Sequence, residues 1–525
     1  MRTATLSLIA LLMGSAAHAQ TVTTLVPGSA FHGVHGIRLA PSGELYAGSV
    51  AGQSLYAVNV ETGAVRIVEG PPHGMADDIA FGPGNQVVWT AISENKVYTR
   101  RGAGPVEVLV ADMPGANSVA FSRDGKRLFL GQVFAGDGVW ELDPAGAKPP
   151  RKIAGPVGGF NSFTVGPDGA LYGPLWFKGQ IARIDPDSGA VTVVAEGLQT
   201  PAAAKFNAED ELFAIDTKTG EVLRIDVKTG AKTRVAQLKT SLDNMEFAKD
   251  GRLFVSNMAD NGVQEVNVAT GAVRQVVKGA LAFPADIDVR TSAGKDTVYV
   301  ADVFAYRSVD GTTGAVSDIA RMHADALEYP TGVSVGAEHV LLTSAVAGTL
   351  EIFNRADGRR VSQLHDFQGP SDALELPQGA LLVAEATGDV ILVEGASRRT
   401  LAKGLKAPTS LARAADGTIY VVEAGANRLV RMDLANGAVT PVASGFDRPK
   451  AVAVGPNGRP VVLDLGARSV TEVDPKTGVK TVIARDLPLG LLGGPVPLGG
   501  GIAVGGGGDI YVASDVENAI YKITR

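Results

Sequence analysis

The chain has 525 residues, and 45% of them are apolar, which is enough for more than one packed domain. Its formal net charge is −7 and no basic stripe is visible, which argues against a nucleic-acid partner. The 65 glycines and 28 prolines favour many tight turns over long helices.

Residues 1–19 have the pattern of a secretory signal peptide. Arg2 supplies the positive end, residues 4–13 are apolar, and Ala17-His18-Ala19 is a small-x-small cleavage site before Gln20. The apolar run is too short to span a membrane, and no later segment is long and apolar enough to do so. The chain has no cysteine, and therefore neither disulfides nor a lipid-carrying cysteine. The sequence predicts a periplasmic or secreted protein without a membrane span.

A hairpin unit repeats along the rest of the chain. In residues 241–257, two runs of β-forming residues flank Asp250-Gly251, which predicts a tight hairpin. One large apolar residue of the second hairpin strand recurs every 38 to 49 residues, at Tyr46, Trp89, Phe129, Tyr172, Phe213, Phe254, Tyr299, Leu342, Leu382, Tyr420, Val462 and Tyr511. A period near 42 with four short strands predicts a propeller blade. In the first blade we expect strands at 36–40, 45–50, 55–60 and 64–68.

Twelve blades exceed one ordinary ring of four to eight. We therefore predict an all-β fold of two tandem six-bladed β-propellers, with twelve four-stranded blades divided into residues 20–270 and 271–525. A continuous open array is the alternative. Residues 22–26 and 273–277 both resemble a fourth strand. We expect 21–28 to complete blade six and 272–279 to complete blade twelve, because such closure removes exposed strand edges.

Several stretches resemble known families. Residues 419–429 (IYVVEAGANRL) and 298–302 (VYVAD) resemble the NHL-type repeat. Residues 116–125 (ANSVAFSRDG), 160–163 (FNSF) and 242–245 (LDNM) resemble the gluconolactonase, regucalcin and paraoxonase group of calcium-dependent hydrolases. This resemblance implies a calcium ion held in the first channel by Asn and Asp side chains. The glutamate that usually contributes a ligand has no counterpart, so Asp77 or Asp78 would take its place.

The residues that begin the innermost strands of the first ring carry the candidate site. They are His35, Asp77, Asn117, Asn161, Ala202 and Asp243, and the residues after them are Gly36, Asp78, Ser118, Ser162, Ala203 and Asn244. In a propeller these positions converge on one mouth of the channel. Carboxylate and amide oxygens suit calcium, which takes six to eight oxygen ligands. We predict Asp77, Asn117, Asn161, Asp243 and Asn244 as metal ligands.

Turn chemistry is the competing explanation, because Asp and Asn side chains hydrogen-bond nearby backbone at strand starts. The matching positions of the second ring are Ala285, Thr331, Ser371, Thr409, Lys450 and Gly500, with acids only at the following residues Asp286 and Asp372. This contrast favours a metal site in the first ring. A second set of Asp, Asn and Glu residues follows the recurring apolar residue in both rings. This recurrence indicates that the set fixes the turn after the second strand and is structural: Asp216, Asn257, Asp302, Glu385, Glu423 and Asp464.

His35 and Asp78 are the predicted catalytic residues, since either could accept a proton from water. His32 and His73 are interpreted as loop histidines bonded to backbone. A softer metal held by His35, Asp77 and Asp243 is an alternative to calcium. Residues 487–508, rich in glycine, proline and leucine, are interpreted as a mobile lid or a tolerated loop.

Two functions follow from these residues. The first is metal-dependent hydrolysis of a small lactone or related ester, with the ion polarising the carbonyl. The second is a non-catalytic periplasmic binding or scaffold propeller with a protein partner.

Overall fold

The protein folds into twelve four-stranded antiparallel sheets, arranged as two six-bladed β-propellers in tandem. The structure is a computed structural model and describes residues 20–491 and 499–524. The predicted signal peptide, residues 1–19, lies outside the described residues. The first-blade strands fall where the repeat predicts them, within two residues at each end.

The first propeller contains six blades with four strands each. Blade one has β2 (Ile37–Leu39), β3 (Leu45–Ser49), β4 (Ser54–Val58) and β5 (Val65–Glu69); blade two has β6 (Ile79–Gly82), β7 (Gln86–Ala91), β8 (Lys96–Arg101) and β9 (Glu107–Val110); blade three has β10 (Ala116–Phe121), β11 (Leu128–Gln132), β12 (Val139–Leu142) and β13 (Arg151–Ala154). Blade four has β14 (Thr164–Val165), β15 (Leu171–Leu175), β16 (Gln180–Ile184) and β17 (Val191–Ala195); blade five has β18 (Pro201–Phe206), β19 (Leu212–Asp216), β20 (Glu221–Ile225) and β21 (Lys232–Gln237); blade six has β22 (Leu242–Phe247), β23 (Leu253–Asn257), β24 (Gly262–Val266) and β25 (Val273–Val277).

The second propeller repeats this plan and takes its last strand from the N-terminal segment. Blade seven has β26 (Asp286–Ser292), β27 (Lys295–Ala301), β28 (Ala305–Asp310) and β29 (Val316–Arg321); blade eight has β30 (Gly332–Val335), β31 (His339–Ser344), β32 (Thr349–Asn354) and β33 (Arg360–Leu364); blade nine has β34 (Pro370–Glu375), β35 (Leu381–Glu385), β36 (Val390–Glu394) and β37 (Ser397–Ala402). Blade ten has β38 (Pro408–Arg413), β39 (Ile419–Glu423), β40 (Arg428–Met432) and β41 (Val439–Ser444); blade eleven has β42 (Pro449–Val454), β43 (Pro460–Asp464), β44 (Ser469–Val473) and β45 (Lys480–Ala484); blade twelve has β46 (Gly501–Val504), β47 (Ile510–Ser514), β48 (Ala519–Thr524) and β1 (Thr21–Val26).

Short 3-10 turns complete the regular structure of the described residues, at Pro83–Asn85, Ile92–Glu94, Trp176–Lys178, Pro377–Gly379 and Ala424–Ala426. None of the helical segments in this part of the chain has the length and apolar character that a membrane crossing requires.

Each ring closes between its first and last innermost strands. In the first ring β2 packs beside β22, and in the second ring β26 packs beside β46. The apolar core lies between neighbouring blades: Phe213 of blade five, for example, packs with Met245 and Val255 of blade six. This packing follows from the alternation of side chains along each strand, which gives every blade two buried faces.

The predicted exchange of closing strands is wrong. β25 pairs with β24 inside blade six, with Val266 opposite Val273. β1 pairs with β48 in blade twelve, with Thr21 opposite Thr524. The local turn explains the first pairing, because the Asn267 carboxamide oxygen accepts the Ala269 and Thr270 N–H groups at 3.0 and 3.1 Å. A turn that short costs less loop-closure entropy than a crossing to another ring.

Two segments connect the rings, residues 27–36 between β1 and β2 and residues 278–285 between β25 and β26. The Phe31 carbonyl in the first connection accepts hydrogen bonds from the side-chain amides of Asn261 and Asn518. These asparagines occupy the same turn of blades six and twelve, and both have positive φ, at 46° and 53°. One carbonyl on the connecting segment is therefore held by both rings.

We expect Val26→Thr to destabilise the second propeller by about 1–3 kcal/mol, because the buried site gains a hydroxyl without a partner. Val26 is fully buried against Leu281, Tyr511 and Ile520. Hydrogen–deuterium exchange should accelerate in residues 519–524 and stay unchanged in residues 262–277. Val22→Thr, on the same strand but 41% exposed, is the matched control. Faster exchange in residues 273–277 instead would contradict the observed strand pairing.

Candidate functional site

Three of the predicted site residues meet at one mouth of the first channel. The Nδ1 atom of His35 lies 3.4 Å from an Asp77 carboxylate oxygen and 3.6 Å from an Asp243 carboxylate oxygen. One potential ligand atom from each of the three residues lies within 4.8 Å of the others. His35 and Asp77 are buried, and Asp243 is slightly more exposed.

Close contact between neighbouring inner strands brings these residues together. The Gly36 N–H donates to the Asp77 carbonyl at 2.7 Å. A Cβ atom on Gly36 would lie 2.1 Å from that oxygen, so only glycine allows this approach of the two blades. The Thr90 hydroxyl ties the next pair of blades by donating to the Asn117 carbonyl at 2.6 Å.

Of the two predicted amide ligands, Asn117 contacts Asp77 at the mouth, and Asn161 is linked to Asn117 through the Ser118 hydroxyl. The Asn117 amide nitrogen donates to the second carboxylate oxygen of Asp77. Its amide oxygen accepts the Ser118 hydroxyl at 2.8 Å, while the Asn161 oxygen accepts the Ser162 N–H at 2.8 Å. The Asn117 amide therefore lies beside Asp77, whereas the Asn161 amide oxygen accepts hydrogen bonds from the Ser162 N–H and, at 3.4 Å, from the Ser118 hydroxyl.

The other two predicted residues, Asp78 and Asn244, lie one layer deeper. The Asn244 amide oxygen accepts the Met245 N–H and the Ser162 hydroxyl, both at 2.8 Å. Its nitrogen donates to Asp78 at 3.3 Å. These contacts use both acceptor positions of the Asn244 oxygen.

The Asp78 carboxylate accepts two backbone N–H groups, from Ile79 at 2.9 Å and from Val119 of the next blade at 3.2 Å. The second ring repeats the bond to the next blade. There Asp286 accepts the Val333 N–H at 3.1 Å, and Asp372 accepts the Leu411 N–H at 2.7 Å. This recurrence indicates that the carboxylate at this position links neighbouring inner strands. Asp78 therefore has a structural role, in addition to any role in catalysis.

The electrostatics of the mouth are those of a buried acidic site. Burial, with the nearby charges of Asp243 and Asp78, raises the pKa of Asp77 well above its ordinary value, although the charge of His35 opposes the shift. Burial opposes protonation of His35, but its hydrogen bond to Asp243 and the charges of Asp243 and Asp77 raise its pKa. A cation at this mouth would relieve the repulsion between the carboxylates.

A charged layer lies further down the first channel. Its residues are three positions along the chain from the residues that begin the inner strands. The Arg38 guanidinium is 3.3 Å from the Glu246 carboxylate, and the Lys205 ammonium donates to the Phe163 carbonyl at 3.0 Å. Burial lowers the pKa of Lys205 to about 8. This layer was not predicted from the sequence, although its constant offset from His35, Ala202 and Asp243 is visible there.

Residues of the second propeller cover the mouth, and sequence reasoning missed them. The Phe304 ring lies 5.3 Å from the His35 ring and 6.3 Å from the Tyr329 ring. His323 lies 6.4 Å from Tyr329 and 5.1 Å from Trp176 of the first propeller. The repeat pattern contains no signal for these contacts, because they depend on how the two rings pack together.

The second channel has a different character. Its acids Asp286 and Asp372 have raised pKa values because they are buried, and no metal-ligating cluster was found in the described part of this channel. A cavity of about 990 Å³ opens at the far end of the channel, lined by Asp288, His339 and Glu375 among others. Its lining runs from Asp286 and Asp372 near the start of the inner strands to Glu338 and Gln378 in the hairpin turns.

Several remaining predictions concern residues that were expected to have structural roles. His32 bonds through Nδ1 to the Tyr56 hydroxyl at 3.0 Å and through Nε2 to the Val516 carbonyl at 3.0 Å, which fits a structural role. The His73 carbonyl accepts the Trp89 indole N–H at 3.0 Å. The recurring Asp, Asn and Glu residues each accept a backbone N–H group, which fits a structural role. Glu423, for example, accepts the Lys406 N–H at 2.8 Å.

Residues 492–498, the middle of the predicted lid at 487–508, lie outside the described residues. Leu487 and Leu489 are buried in the core of blades eleven and twelve. Leu491 packs near Phe304 and Tyr329. The described start of this segment therefore belongs to the contact between the propellers.

No family model matches the chain, and no curated protein matches it. Solved structures that match include a streptogramin B lyase, at 14% identity over 54% of this chain and 93% of that chain, with a TM-score of 0.36. The virginiamycin B lyase of Staphylococcus aureus matches at 13% identity over 62% of this chain and 95% of that chain, with a TM-score of 0.32. The extracellular domain of BT4673 from B. thetaiotaomicron matches at 11% identity over 94% of this chain and 76% of that chain, with a TM-score of 0.36. Matches this distant assign no activity to the chain.

Asp288 gives a test of the buried acids in the second channel. Burial raises its pKa to about 6, above the value of about 4 in an unfolded chain. The folded state then binds the proton more tightly, so this contribution to stability is present below about pH 4 and is lost as the pH rises through 6. We expect Asp288→Asn to be more stable than the parent at pH 7.5, by about 1–3 kcal/mol, and equal to it at pH 4.

Urea unfolding at the two pH values measures this difference. Asp310→Asn is the control, because backbone N–H groups of Thr313 and Thr312 lower the pKa of Asp310. Loss of that charge should not stabilise the protein at pH 7.5. If Asp288→Asn has the same effect at both pH values, the burial of this carboxylate does not control stability.

Proposed function

We propose that the protein is an exported, metal-dependent hydrolase of a small lactone or related ester. Its site is the channel mouth of the first propeller. The proposal rests on one observation, the convergence of His35, Asp77 and Asp243 in a buried mouth, where the Asn117 amide also contacts Asp77. Residues 1–19 support the exported, periplasmic or secreted, location.

The donor set fits a divalent cation. Asp77 and Asp243 offer charged oxygens, and Asn117 and Asn161 would add amide oxygens, each of which also accepts a hydrogen bond from the following serine. Oxygen ligands of this kind suit calcium, and the adjacent imidazole also admits a first-row transition ion. When bound, such an ion supplies Lewis acidity that polarises a carbonyl and stabilises an oxyanion.

His35 is the residue best placed to accept a proton. Its Nδ1 faces both carboxylates, which orient the ring. Its Nε2 is buried and has no hydrogen-bond partner in the described residues. An imidazole oriented through one nitrogen and free at the other is the usual arrangement of a general base. Asp78 is the weaker candidate, because its carboxylate is engaged by Ile79, Val119 and Asn244.

The alternative is a non-catalytic binding or scaffold propeller with a protein partner in the periplasm. Two observations favour it: the mouth is covered by Phe304 and Tyr329, and Asp77 already has a partner in Asn117. In this case the polar residues that begin the inner strands would serve to align those strands. The two functions differ in what they require of Asp243.

We expect Asp243→Asn to weaken divalent-cation binding by at least about tenfold, the loss that even an outer partner of a metal ligand causes. Lactone hydrolysis should fall with it. Asparagine keeps the shape and local hydrogen bonds of aspartate but removes one charge from the mouth. The measurements are metal content after purification without chelator, calorimetric titration with Ca²⁺ and Mn²⁺, and release of acid from δ-valerolactone.

Asp286→Asn is the matched control, because Asp286 occupies the following position of a second-ring blade start and should not affect cation binding. A bound cation should also raise the melting temperature of the parent, since a ligand at about a hundred times its Kd adds about 2.7 kcal/mol of stability. Equal cation binding by the parent and both variants would overturn the metal site. Cation binding without hydrolysis of any lactone or ester would favour the scaffold function.

A further inference from the structure

The channel of the second propeller contains a cavity of about 990 Å³. The cavity at the corresponding end of the first channel, lined by Arg38 and Phe81 among others, is about 350 Å³. Pockets of about 300–1,000 Å³ are of the size that encloses most of a small organic ligand. The second channel therefore has room for a molecule of that kind.

The inner strands explain why the second channel is wider. Three positions after the residues that begin these strands, the first ring has the long side chains Arg38, Lys205 and Glu246. In the second ring no residue at this position is larger than Leu374. At the next position, four blades of the first ring have phenylalanine, whereas four blades of the second ring have valine. Smaller side chains forfeit packing contacts across the channel, so the open space has a cost for folding.

Carboxylates line the inner part of this cavity. Asp286, Asp288 and Asp372 all contribute to its wall, and none of them forms a salt bridge with another described residue. Burial raises the pKa of all three carboxyl groups, and the charge of Lys450 opposes the shift at Asp286. A positively charged group of a ligand would offset the cost of burying these carboxylates.

Asp288 is the carboxylate best placed to contact a ligand. It is accessible from the cavity, whereas Asp286 and Asp372 are buried. Its Oδ1 atom accepts the Val289 N–H and its Oδ2 atom accepts the Val335 N–H, both at 2.7 Å. Because an ionised carboxylate has about four acceptor positions, others remain for a donor in the cavity. A protonated amine, which only donates hydrogen bonds, suits these positions.

Arginines line the outer part of the same cavity. Arg290 and Arg413 belong to blades seven and ten, which lie opposite each other in the ring. Both side chains are exposed, and neither guanidinium has a hydrogen bond or salt bridge to another described residue. Of the acids at this end, Glu375 is already paired with the His339 imidazole at 2.6 Å, and Glu338 is exposed in a hairpin turn. The two arginines are therefore available to a carboxylate.

The cavity thus has acids at its inner end and arginines at its outer end. Asp288 and Arg290 lie two residues apart on β26, which pairs regularly with β27, so their side chains share one face about 7 Å apart along the strand. We propose that the second channel is a binding site for a small linear molecule with an amine at one end and a carboxylate at the other. The amine binds at Asp288, and the carboxylate binds between Arg290 and Arg413. This site is separate from the first channel mouth and does not depend on the proposed hydrolysis.

Three probes with the same carbon chain test this assignment. The probe 6-aminohexanoate carries both charged groups, hexylamine carries only the amine, and hexanoate carries only the carboxylate. Calorimetric titration of the full-length protein at pH 7.5 should give the lowest Kd for 6-aminohexanoate, because only this probe pairs with both ends of the cavity. If 6-aminohexanoate binds no more tightly than the two singly charged probes, the proposal is wrong.

Two variants assign the ends of the ligand. Asp288→Asn should weaken binding of 6-aminohexanoate and hexylamine at least about tenfold, the loss expected for one charge-assisted hydrogen bond, and leave hexanoate binding unchanged. Arg413→Gln should weaken binding of 6-aminohexanoate and hexanoate about two- to fivefold, because its guanidinium is exposed to solvent, and leave hexylamine binding unchanged.

Matched controls separate binding from stability. Asp288→Asn is expected to be more stable than the parent at pH 7.5, so weaker binding by this variant would not report unfolding. Asp310→Asn and Arg431→Gln change exposed residues outside the cavity and should not affect binding. Unchanged binding of 6-aminohexanoate by Asp288→Asn would overturn the proposal. A loss of binding in Asp243→Asn would assign the probes to the first channel mouth and would also overturn it.

Discussion

The pairing of β1 with β48 is the constraint on which the arrangement of the two propellers depends. Because this strand completes blade twelve, the chain must run from the second ring to the first, around the first ring, and back again. The rings are thus joined by two covalent connections instead of one. A single linker would leave the propellers free to rotate, whereas two connections and the shared hold on the Phe31 carbonyl fix one ring against the other. The strand that closes the second ring therefore also helps to hold the two propellers together.

The fixed packing turns the first channel mouth toward the second propeller. Arg321 of blade seven donates to the Asp260 carboxylate and to the Thr240 carbonyl of the first propeller, both at 2.8 Å. The Ser241 hydroxyl donates back to the Met322 carbonyl at 2.7 Å. The segment that follows Arg321 is thereby placed over the mouth, and its residues His323 and Tyr329 both have positive φ. The second propeller accordingly covers the mouth that contains His35.

The repeat made the fold predictable, because each blade is specified by local features. Alternating strands and short hairpin turns recur from unit to unit, with Asp-Gly at the turn in several of them, and each depends on neighbours within a few residues. The Asp226 carboxylate, for example, accepts the Lys228 N–H at 2.8 Å, and Gly230 has the φ of +73° that the turn requires. The closing strands were predicted wrongly because residues 22–26 and 273–277 have the same pattern. Only the short turn at Asn267 distinguishes them, and it favours the local hairpin.

The candidate site was predictable only in part, for the same reason. The position of a residue on its strand follows from the repeat, so the meeting of His35, Asp77 and Asp243 could be expected from spacing alone. The environment of each carboxylate could not, since it depends on the adjacent blade. Asp77 and Asp78 are neighbours in sequence, yet one carboxylate faces an imidazole at the mouth and the other accepts the Val119 N–H. Side chains alternate along a strand, so a shift of one residue separates a carboxylate that faces the channel mouth from one that bonds to the next blade. The same argument distinguishes Asp243 from Asn244, whose amide oxygen already accepts two hydrogen bonds.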